Sequence, residues 1–424
     1  MSKLVKGLAL SAIASSVVIA GGYKLPEQSV NSLGLAAAYV AHTMGADAAY
    51  YNPANMSFMG DKNYIAGGIT LVHLPSNVFS LGPASGESEV ENILVPNLHY
   101  VAPAMGDFRW GVSLIVPGGL TKRWESPTQK AFSKEFTLKI IELNPSISYK
   151  ISDNFAVAGG LRVIYSEGVV QSDASGLFPA GAEAFAPTRD MEGDTIEFGY
   201  NLALTYKPTS DIILAVTYRS KIDLDQEGTA DLSYGHTSGP LAGTIATYSG
   251  DASVSVPLPA TLNLSIAKTW NDKFTLEFNY ERAFWSSYKK LDFSYDGTIT
   301  DPGLIGVFDA PQDRDWKDVN IFRLGATIKM DNKLTALFGF SIDNSPTAVE
   351  NLGFELPDSD SKNFSMGFKY QQNENLSWGA SFLYSSKEAI SVPRGVNDNP
   401  VLANGGTFTE GGAFLTTVGV AYEF

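Results

Sequence analysis

Apolar and polar residues alternate along much of this chain with a period of two. From 196 to 206 the even positions carry Ile, Phe, Tyr, Leu, Leu and Tyr, whereas the odd positions carry Glu, Gly, Asn, Ala and Thr. The segments 322–329 and 364–370 show the same division. A period of two is that of a β-strand, whose successive side chains point to opposite faces of the sheet. The pattern therefore predicts strands with one apolar face and one small or polar face.

The apolar face of these strands carries almost no charge and many aromatic residues near the strand ends. A soluble sandwich also alternates, but it turns its apolar face inward and seldom needs so many aromatic side chains at the strand ends. In a transmembrane barrel the apolar face meets lipid, where a charged residue at mid-bilayer costs roughly 2–4 kcal/mol. The pattern therefore indicates a membrane barrel whose small or polar face lines the lumen.

Fourteen segments show this alternation, and the connections between them are alternately short and long. The long ones carry most of the Gly, Pro, Asp and Ser residues. Outer-membrane barrels have an even strand number, short periplasmic turns and longer extracellular loops. The sequence therefore predicts an all-β fold over residues 59–424, a 14-stranded antiparallel transmembrane β-barrel. Its strands are expected near 62–73, 93–103, 108–118, 136–151, 154–170, 192–207, 211–233, 252–268, 273–295, 317–330, 333–343, 361–371, 375–386 and 412–424.

The last segment ends in Phe424 and carries apolar residues at most of its even positions. A terminal aromatic residue that closes an alternating strand looks like the signal read by the barrel-assembly machinery, which we therefore expect as a partner. A soluble domain that ended here would expose a row of apolar residues on an edge strand.

The first 58 residues lack the strand pattern. Residues 1–20 combine two lysines, an apolar run and small residues at 18–20, which is the three-part pattern of a cleaved secretory signal peptide. We expect the mature chain to begin near Gly21. The small residues of 33–41 predict short, tightly packed helices, and Asn52-Pro53 indicates a turn or helix end.

Two motifs in this region carry a family resemblance. The first is Gly22-Tyr23-Lys24-Leu25-Pro26-Glu27, and the second is Asp47-Ala48 followed by Asn52-Pro53-Ala54. In this order, directly behind a signal peptide, they resemble the N-terminal hatch of the FadL family of outer-membrane transporters for long-chain fatty acids and other hydrophobic compounds. Further segments in the family's order extend the resemblance over the mature chain, namely Val116 to Leu120, Tyr218 to Lys221, Trp285 to Tyr288, Asp343 to Pro346 and Leu356 to Asp360.

The resemblance implies that residues 21–58 form a helical hatch, or plug, inside the lumen. Its motif residues are Gly22, Leu25, Glu27, Asp47, Asn52, Pro53 and Ala54. The family also kinks its third strand inward, which opens a gap in the wall for lateral exit. Pro117, Gly118 and Gly119 fit such a kink, because proline cannot donate a ladder hydrogen bond and glycine permits a bend. The alternative is a strand that simply ends in a loop.

Inward parity places several charged residues in the lumen. The candidate contacts for a substrate carboxylate are Arg162, Arg219, Arg323 and Lys369. The alternative for each of them is a charge that solvates and braces the plug. Fatty-acid-importing relatives tend to place basic residues soon after the tyrosine of the fifth strand, whereas Tyr165 is followed here by Ser, Glu and Gly. An alkane or an aromatic hydrocarbon is therefore a second option, with affinity from burial at roughly 0.8 kcal/mol per CH₂.

Composition narrows the function further. The chain of 424 residues has no cysteine and a formal net charge of -15, which is compatible with export and argues against a nucleic-acid partner. The four histidines are scattered, and only His99 could join a Ser-His pair on the wall. No metal-ligand spacing and no phosphate-binding loop occurs in the sequence, so we predict no catalytic residues, no metal and no cofactor.

These features predict a monomeric transporter in the outer membrane, surrounded by lipid and lipopolysaccharide. It would import a hydrophobic small molecule by passive diffusion past the plug, with lateral exit at the third strand. Two other classes stay open. A general porin would need an open lumen, and an adhesive or structural barrel would carry its function on the loops and need no plug.

Overall fold

The structure is a computed structural model that describes residues 21–297 and 299–424. The predicted signal peptide, residues 1–20, lies outside the described residues. The barrel strands are β1 (Tyr64–Leu74), β2 (Glu91–Val101), β3 (Phe108–Ile115 and Gly119–Arg123), β4 (Glu135–Ser152), β5 (Phe155–Asp173), β6 (Thr188–Thr209), β7 (Ile212–Arg219 and Ile222–Gly235), β8 (Ile245–Leu258 and Thr261–Trp270), β9 (Phe274–Ala283 and Phe293–Tyr295), β10 (Val319–Lys329), β11 (Leu334–Asp343), β12 (Ser361–Gln371), β13 (Leu376–Lys387) and β14 (Ala413–Glu423).

The strands run antiparallel and form one closed sheet. The first and last strands pair continuously from Tyr64–Glu423 to His73–Phe414, so this seam has no free edge. The predicted 14-stranded antiparallel barrel is thereby confirmed. Some strands are longer than predicted, as in β8, which begins at Ile245. The predicted strand begins too late because the part of a strand that extends beyond the bilayer needs no apolar outer face. Its residues therefore alternate less clearly.

Residues on the two faces of the wall differ in exposure as the alternation predicts. Phe198 is 63% exposed and Met366 58% on the outer face. Inward-facing Glu142 and Arg162 are buried. Apolar side chains point outward because the surrounding solvent at this level is lipid, whereas the charged groups are held inside the lumen.

Short helices and small sheets complete the described part of the chain. The N-terminal segment, residues 21–58, contains α1 (Val30–Gly34), α2 (Ala48–Tyr51) and a 3₁₀ helix at Pro53–Phe58. Within the described residues no helix is long and apolar enough to cross a membrane. The long loops contain α3 (Pro127–Ser133), α4 (Pro302–Leu304) and a π-helical turn at Ile305–Asp309. They also contain 3₁₀ helices at Gly82–Ala84, Ser175–Leu177, Glu183–Phe185, Trp285–Ser287, Val349–Asn351 and Leu402–Asn404. Two small sheets complete them, one of Val78–Ser80, Gly86–Glu87, Ile390–Val392 and Gly406–Thr409, and one of Lys290–Leu291 and Gln312–Asp313.

The N-terminal segment lies directly against the inner wall. A Cβ added to Gly339 of β11 would come within 2.2 Å of the carbonyl carbon of Leu35, and one added to Gly111 of β3 within 2.9 Å of Ala49 Cβ. Small residues on both sides therefore permit a close approach that larger side chains would prevent. This is the physical reason for the small-residue patch in the sequence. The division of the chain into a plug and a barrel stays a prediction, on which the proposal below builds.

Candidate functional site

The boundary between β2 and β3 is open over much of its length. The Cα pairs that join the two strands end at Leu98–Leu114. Pairing resumes only at an isolated bridge to Trp124. Among the described residues, 91–97 of β2 have their Cα partners on β1, and the second part of β3 has its Cα partners on β4. We call this opening the β2–β3 gap.

Two prolines face the gap, one from each side. If the register of the last pair continued, Pro96 would stand beside Val116 and Val95 beside Pro117. Neither proline has an N–H to donate to a ladder. On the other edge of β3, residues 116–118 stand opposite only 140 and 141 of β4, because the register changes by one. One extra residue is a β-bulge, which bends the strand. Pro117, Gly118 and Gly119 thus lie at the interruption of β3.

The first described residues, 21–27, fill part of this gap, and we call them the strap. The Leu25 N–H donates to the Pro117 carbonyl oxygen at 2.9 Å, and the Gly119 N–H donates to the Tyr23 carbonyl oxygen at 2.7 Å. A Cβ on Gly118 would lie 2.3 Å from that same Tyr23 oxygen. Only glycine at 118 therefore allows the strap to pair here with the interrupted strand.

The strap is also fastened to the opposite wall. Lys24 forms an ion pair with Glu281 of β9, and Arg323 of β10 donates to the other oxygen of Glu281 at 2.9 Å. The Gly22 N–H donates to Asp358 at 3.2 Å. The strap therefore bridges the lumen from the β2–β3 gap to β9 and β10.

Among the predicted hatch residues, Glu27 has unusual surroundings. Its carboxylate is fully buried, and neither oxygen accepts a hydrogen bond from another described residue. Burial raises the pKa of Glu27 to about 7, with Arg323 opposing and Asp343 reinforcing the shift. Leu25, by contrast, packs in an apolar cluster with wall residues of β1, β2 and β14.

Two wall charges hold the backbone of the N-terminal segment. The Glu277 carboxylate accepts N–H bonds from Val40, Ala41 and His42 at 2.6 to 2.9 Å. Arg109 of β3 donates to the Met56 carbonyl oxygen at 3.3 Å and, just beyond the end of the segment, to the Gly60 carbonyl oxygen at 2.7 Å. A carboxylate on amide groups and a guanidinium on carbonyls are charge-assisted bonds, the stronger class. They attach the segment to the wall at two separate places.

The second hatch motif is an internal brace. Asp47 accepts hydrogen bonds from Ser29, Asn31 and Tyr39 at 2.7 to 2.9 Å. Asn52 caps the 3₁₀ helix that begins at Pro53, because its side-chain oxygen accepts the Ala54 N–H at 3.1 Å. Its side-chain amide nitrogen donates to the Val40 carbonyl oxygen at 2.8 Å and to Thr205 Oγ1 at 2.9 Å. Ala54 is completely buried against alanines of β5 and β6. These motif residues tie the turns of the segment to one another and to the wall.

The candidate lumen arginines are already engaged. Arg162 donates to Glu142 of β4 through two nitrogens, at 3.0 and 2.8 Å. Arg219 reaches the same carboxylate at 3.1 Å and stacks over the Tyr50 ring at 3.7 Å. Arg323 is bound to Glu281. The three arginines therefore sit in internal ion pairs, and Arg219 also donates to the Tyr50 carbonyl oxygen of the segment.

Lys369 is set apart from these arginines. It lines a cavity of about 130 Å³ between the N-terminal segment and β1, β12, β13 and β14. No hydrogen bond or ion pair of Lys369 occurs among the described residues. His99 lines the same cavity, and its Nδ1 lies 2.9 Å from Ser113 Oγ. The structure does not bring Lys369 together with the arginines.

A large apolar cluster occupies the lumen on the extracellular side of the strap. Tyr23 packs edge-on against Trp285 with ring centroids 4.7 Å apart, and Trp316 contacts both rings. Leu120 of β3 and residues of β4, β5, β7 and β8 extend this cluster.

Sequence reasoning missed two residues that matter to this geometry. Pro96 was identifiable, because a proline inside an otherwise regular strand argues for an unpaired edge. Arg109 carried no such signal. It is a charged residue in an ordinary alternating segment, and only its contacts with distant carbonyl groups distinguish it.

Comparison with known proteins covers nearly the whole chain. A family model described as "Outer membrane protein transport protein (OMPP1/FadL/TodX)" matches residues 11–424. Outer membrane protein P1 of Haemophilus influenzae is 23% identical over 386 residues, covering 79% of this chain and 81% of that protein. The long-chain fatty acid transport protein of Escherichia coli is 24% identical over 376 residues, covering 80% and 82%.

Solved structures agree on the fold. A FadL homologue of Pseudomonas aeruginosa superposes with a TM-score of 0.74 at 19% identity, covering 95% of this chain and 99% of that one. The toluene transporter TodX of P. putida superposes with a TM-score of 0.71 at 19% identity, covering 94% and 99%. Both likenesses support the barrel architecture described above.

Proposed function

Because the chain belongs to the family of outer-membrane transport proteins described as OMPP1/FadL/TodX, we propose that it imports hydrophobic compounds by passive diffusion and releases them sideways through the β2–β3 gap. Its outer-membrane location and its role in the transport of hydrophobic compounds follow from that membership. The resemblance inferred from the sequence motifs is confirmed. Passive movement and lateral release are the additional steps of the proposal.

The observation that carries the proposal is the strap in the gap. A sheet in the bilayer normally pairs every backbone group, because an unpaired one costs several kcal/mol in hydrocarbon. Here β3 gives up its pairing with β2, and Tyr23 and Leu25 satisfy the Pro117 and Gly119 groups instead. A wall with a removable partner can open and close without unfolding a strand.

The path on the extracellular side suits an apolar substrate. The cluster around Tyr23 and Trp285 borders the strap. Each buried methylene contributes roughly 0.8 kcal/mol. Arg162 and Arg219 share the carboxylate of Glu142, and Arg323 shares that of Glu281 with Lys24, so these arginines are engaged within the protein. Movement of the strap away from Gly118 would then connect this apolar space with the outer leaflet.

The proposal is tested by restoring the wall. The double variant Pro117→Val/Gly118→Val returns an N–H donor to β3 and displaces the Tyr23 oxygen, so that β2 becomes the partner within reach. Uptake of labelled oleate and labelled toluene is measured in cells that have no other transporter for hydrophobic compounds. We expect loss of uptake of whichever compound the unmodified protein imports, with normal assembly.

The matched control is Gly159→Val. Gly159 lies in a fully paired part of β5, where an added Cβ would meet Leu202 Cδ2 at 3.6 Å and the Asn201 carbonyl oxygen at 3.7 Å, both ordinary contacts. This variant should import as well as the unmodified protein. Undiminished uptake by the double variant, at equal amounts in the outer membrane, would contradict lateral release.

A further inference from the structure

The long loop between β9 and β10 covers the apolar cluster of the lumen on its extracellular side. We call residues 299–309 of this loop the lid, and they contain α4 and the π-helical turn. Leu304 and Phe308 of the lid are 2% and 4% exposed and belong to the same apolar cluster as Tyr23 and Trp285. The lid therefore contributes buried side chains to the apolar space through which the proposed import path runs.

No backbone ladder fixes the lid to its surroundings. Before it, Tyr295 pairs with Ala252 of β8, and after it, Gln312 pairs with Leu291. Within the part of the chain that the structure describes, no backbone hydrogen bond joins residues 299–309 to another element. A segment held by few backbone bonds opens locally at a lower free energy than the sheet around it. The lid can therefore move between two fixed ends while the barrel stays folded.

Side chains fasten the lid at both of its ends. One oxygen of the Asp301 carboxylate accepts two N–H groups at the start of α4, at 2.9 and 3.1 Å. Its second oxygen lies 2.8 Å from His236 Nε2, in the loop between β7 and β8. At the other end, the Tyr295 hydroxyl donates to the Phe308 carbonyl oxygen at 3.0 Å. Because Asp301 and His236 are both partly exposed, water can replace their contact when the lid moves.

Apolar side chains occupy the outer face of the lid as well as its inner face. Ile305 is 38% exposed and Val307 is 44% exposed. Single exposed apolar residues are common on protein surfaces, but these two lie in one short segment with the buried Leu304 and Phe308. Residues 304–308 include no polar side chain. An apolar molecule therefore meets apolar groups on the outside of the lid and again beneath it.

We propose that the lid is the extracellular gate of the lumen and that the Asp301–His236 contact is its latch. Release of the latch lets residues 299–309 move outward, which uncovers the cluster around Tyr23 and Trp285 for an apolar molecule. This inference rests on the proposed import of hydrophobic compounds and adds the place where entry is controlled. The lid and the strap then act at different ends of the path, the lid at entry and the strap at exit.

The gate is tested by a disulfide that locks it. A Cβ added to Gly303 would lie 2.9 Å from Tyr234 Cγ of β7, and this Cγ is bonded directly to the Tyr234 Cβ. The double variant Tyr234→Cys/Gly303→Cys therefore brings two Cβ atoms within about 4.5 Å, a separation that a disulfide spans. The unmodified chain has no cysteine, so no other disulfide competes.

Uptake of labelled oleate and labelled toluene is measured in cells without another such transporter, after oxidation with copper phenanthroline and again after reduction with dithiothreitol. For the compound that the unmodified protein imports, we expect the oxidised variant to be slower than the reduced variant by about ten-fold or more, since a locked lid blocks passage. The reduced variant should import like the unmodified protein, which shows that it is folded. Equal uptake in the two states, with the disulfide complete, would overturn the proposal.

The matched control is Pro127→Cys/Gly176→Cys, which joins two other long loops. A Cβ on Gly176 would lie 3.0 Å from Pro127 Cβ, so a small shift brings the pair to the separation of a disulfide. Oxidation should leave the uptake by this variant unchanged. An equal loss here would mean that any stiffening of the loops slows uptake, and it would overturn the assignment of the gate to the lid.

The latch is tested on the purified full-length protein in nonionic detergent. Leu304→Cys puts a thiol on the buried face of the lid, and its reaction with a water-soluble maleimide reports opening. Addition of His236→Ala should speed this reaction several-fold, because the lid loses its contact with the neighbouring loop. His73→Ala, which removes a histidine bonded to Asn92 at 2.8 Å, is the matched control and should leave the rate unchanged. Equal rates in the two variants would overturn the latch.

Failure of the gate can be told apart from failure of the import function. The maleimide reaction does not depend on transport. If the unmodified protein imported neither oleate nor toluene, the proposed function would fail whatever the labelling rates. If it imported one of them and the oxidised Tyr234→Cys/Gly303→Cys variant did so equally fast, only the gate would be wrong.

Discussion

The two edges of β2 contrast within a single strand. Toward β1 its Cα partners run without interruption from Glu91 to Val101. Toward β3 they are limited to residues 98–101 and the ladder then stops. The backbone of β2 is therefore able to pair along its whole length, except that Pro96 has no N–H to donate. The gap arises chiefly from the bulge in β3 and from the strap that pairs with it.

The contrast shows how a barrel wall can be opened at a small energetic cost. Unpaired backbone groups inside a bilayer are expensive, but three of those on β3 are satisfied from the lumen. The Val116 N–H donates to the Gln28 side chain at 2.8 Å, and the strap binds Pro117 and Gly119. The wall is stable in this arrangement because the strap makes the hydrogen bonds to β3 that β2 does not make.

The largest effect is expected from breaking the contact between the strap and the gap while leaving the gap unpaired. Gly118→Ala places a Cβ within 2.3 Å of the Tyr23 carbonyl oxygen, so the strap must shift, whereas Pro117 still interrupts the ladder. We expect a several-fold faster uptake of the transported compound, measured as an initial rate in cells. Restoring the wall at the same place, by contrast, should abolish uptake.

Gly159→Ala is the control for that change, because its Cβ would meet Leu202 at an ordinary 3.6 Å. Its uptake rate should equal that of the unmodified protein. An uptake rate for Gly118→Ala equal to or below that of the control would mean that the strap does not limit passage.

A second prediction addresses the paired portion of β3 below the gap. Arg109 donates to the carbonyl oxygens of Ala102, Met59, Gly60 and Lys62 at 2.7 to 2.9 Å. Arg109→Met leaves these acceptors without their charged donor, and we expect a loss of about 3 kcal/mol in the free energy of unfolding. Urea unfolding in detergent micelles measures the loss.

Lys150→Met is the matched control on the neighbouring strand. Lys150 pairs with Asp153, which is 98% exposed, so this variant should lose far less stability than Arg109→Met. A similar loss in both variants would show that Arg109 does not anchor the segment.

The smallest effect concerns pH and the buried Glu27. Its pKa in the folded protein, about 7, lies above its ordinary value of 4.5, so the folded state binds this proton more tightly than the unfolded state. Stability from this group is therefore greatest below pH 4.5 and declines as the pH rises toward 7. Lys24, Arg323 and Asp343 are the charged groups that act on it.

Glu27→Gln removes this titration. Between pH 5 and pH 8 the thermal midpoint of the variant should decline less than that of the unmodified protein. Parallel declines would show that Glu27 stays ionised throughout this range.

The sequence predicted the barrel well because the lipid imposes a local rule. Every strand that crosses the bilayer must show an apolar outer face, so residues such as those of 196–206 reveal their orientation without knowledge of their neighbours. The small residues of 33–41 likewise indicated close packing, and the structure shows Leu35 lying close to Gly339 of the inner wall. The N-terminal motifs and their order were sufficient to identify the family.

The contacts of the site could not be predicted from a local sequence pattern. Arg162 and Arg219 meet at Glu142 only because β4, β5 and β7 bring them there, and the sequence offered them as ligands for a substrate. Arg109 lies in a segment with ordinary alternation, and only the fold brings backbone carbonyl oxygens within reach of its guanidinium group.

The sequence by itself therefore determined the strand number and the orientation of each face, because these follow from local chemistry against lipid. Only the tertiary structure decided that residues 21–27 occupy the gap and that the lumen arginines are already paired. Hydrogen bonds and ion pairs between different strands, or between the N-terminal segment and the wall, depend on register and on the closure of the barrel, which no local pattern records.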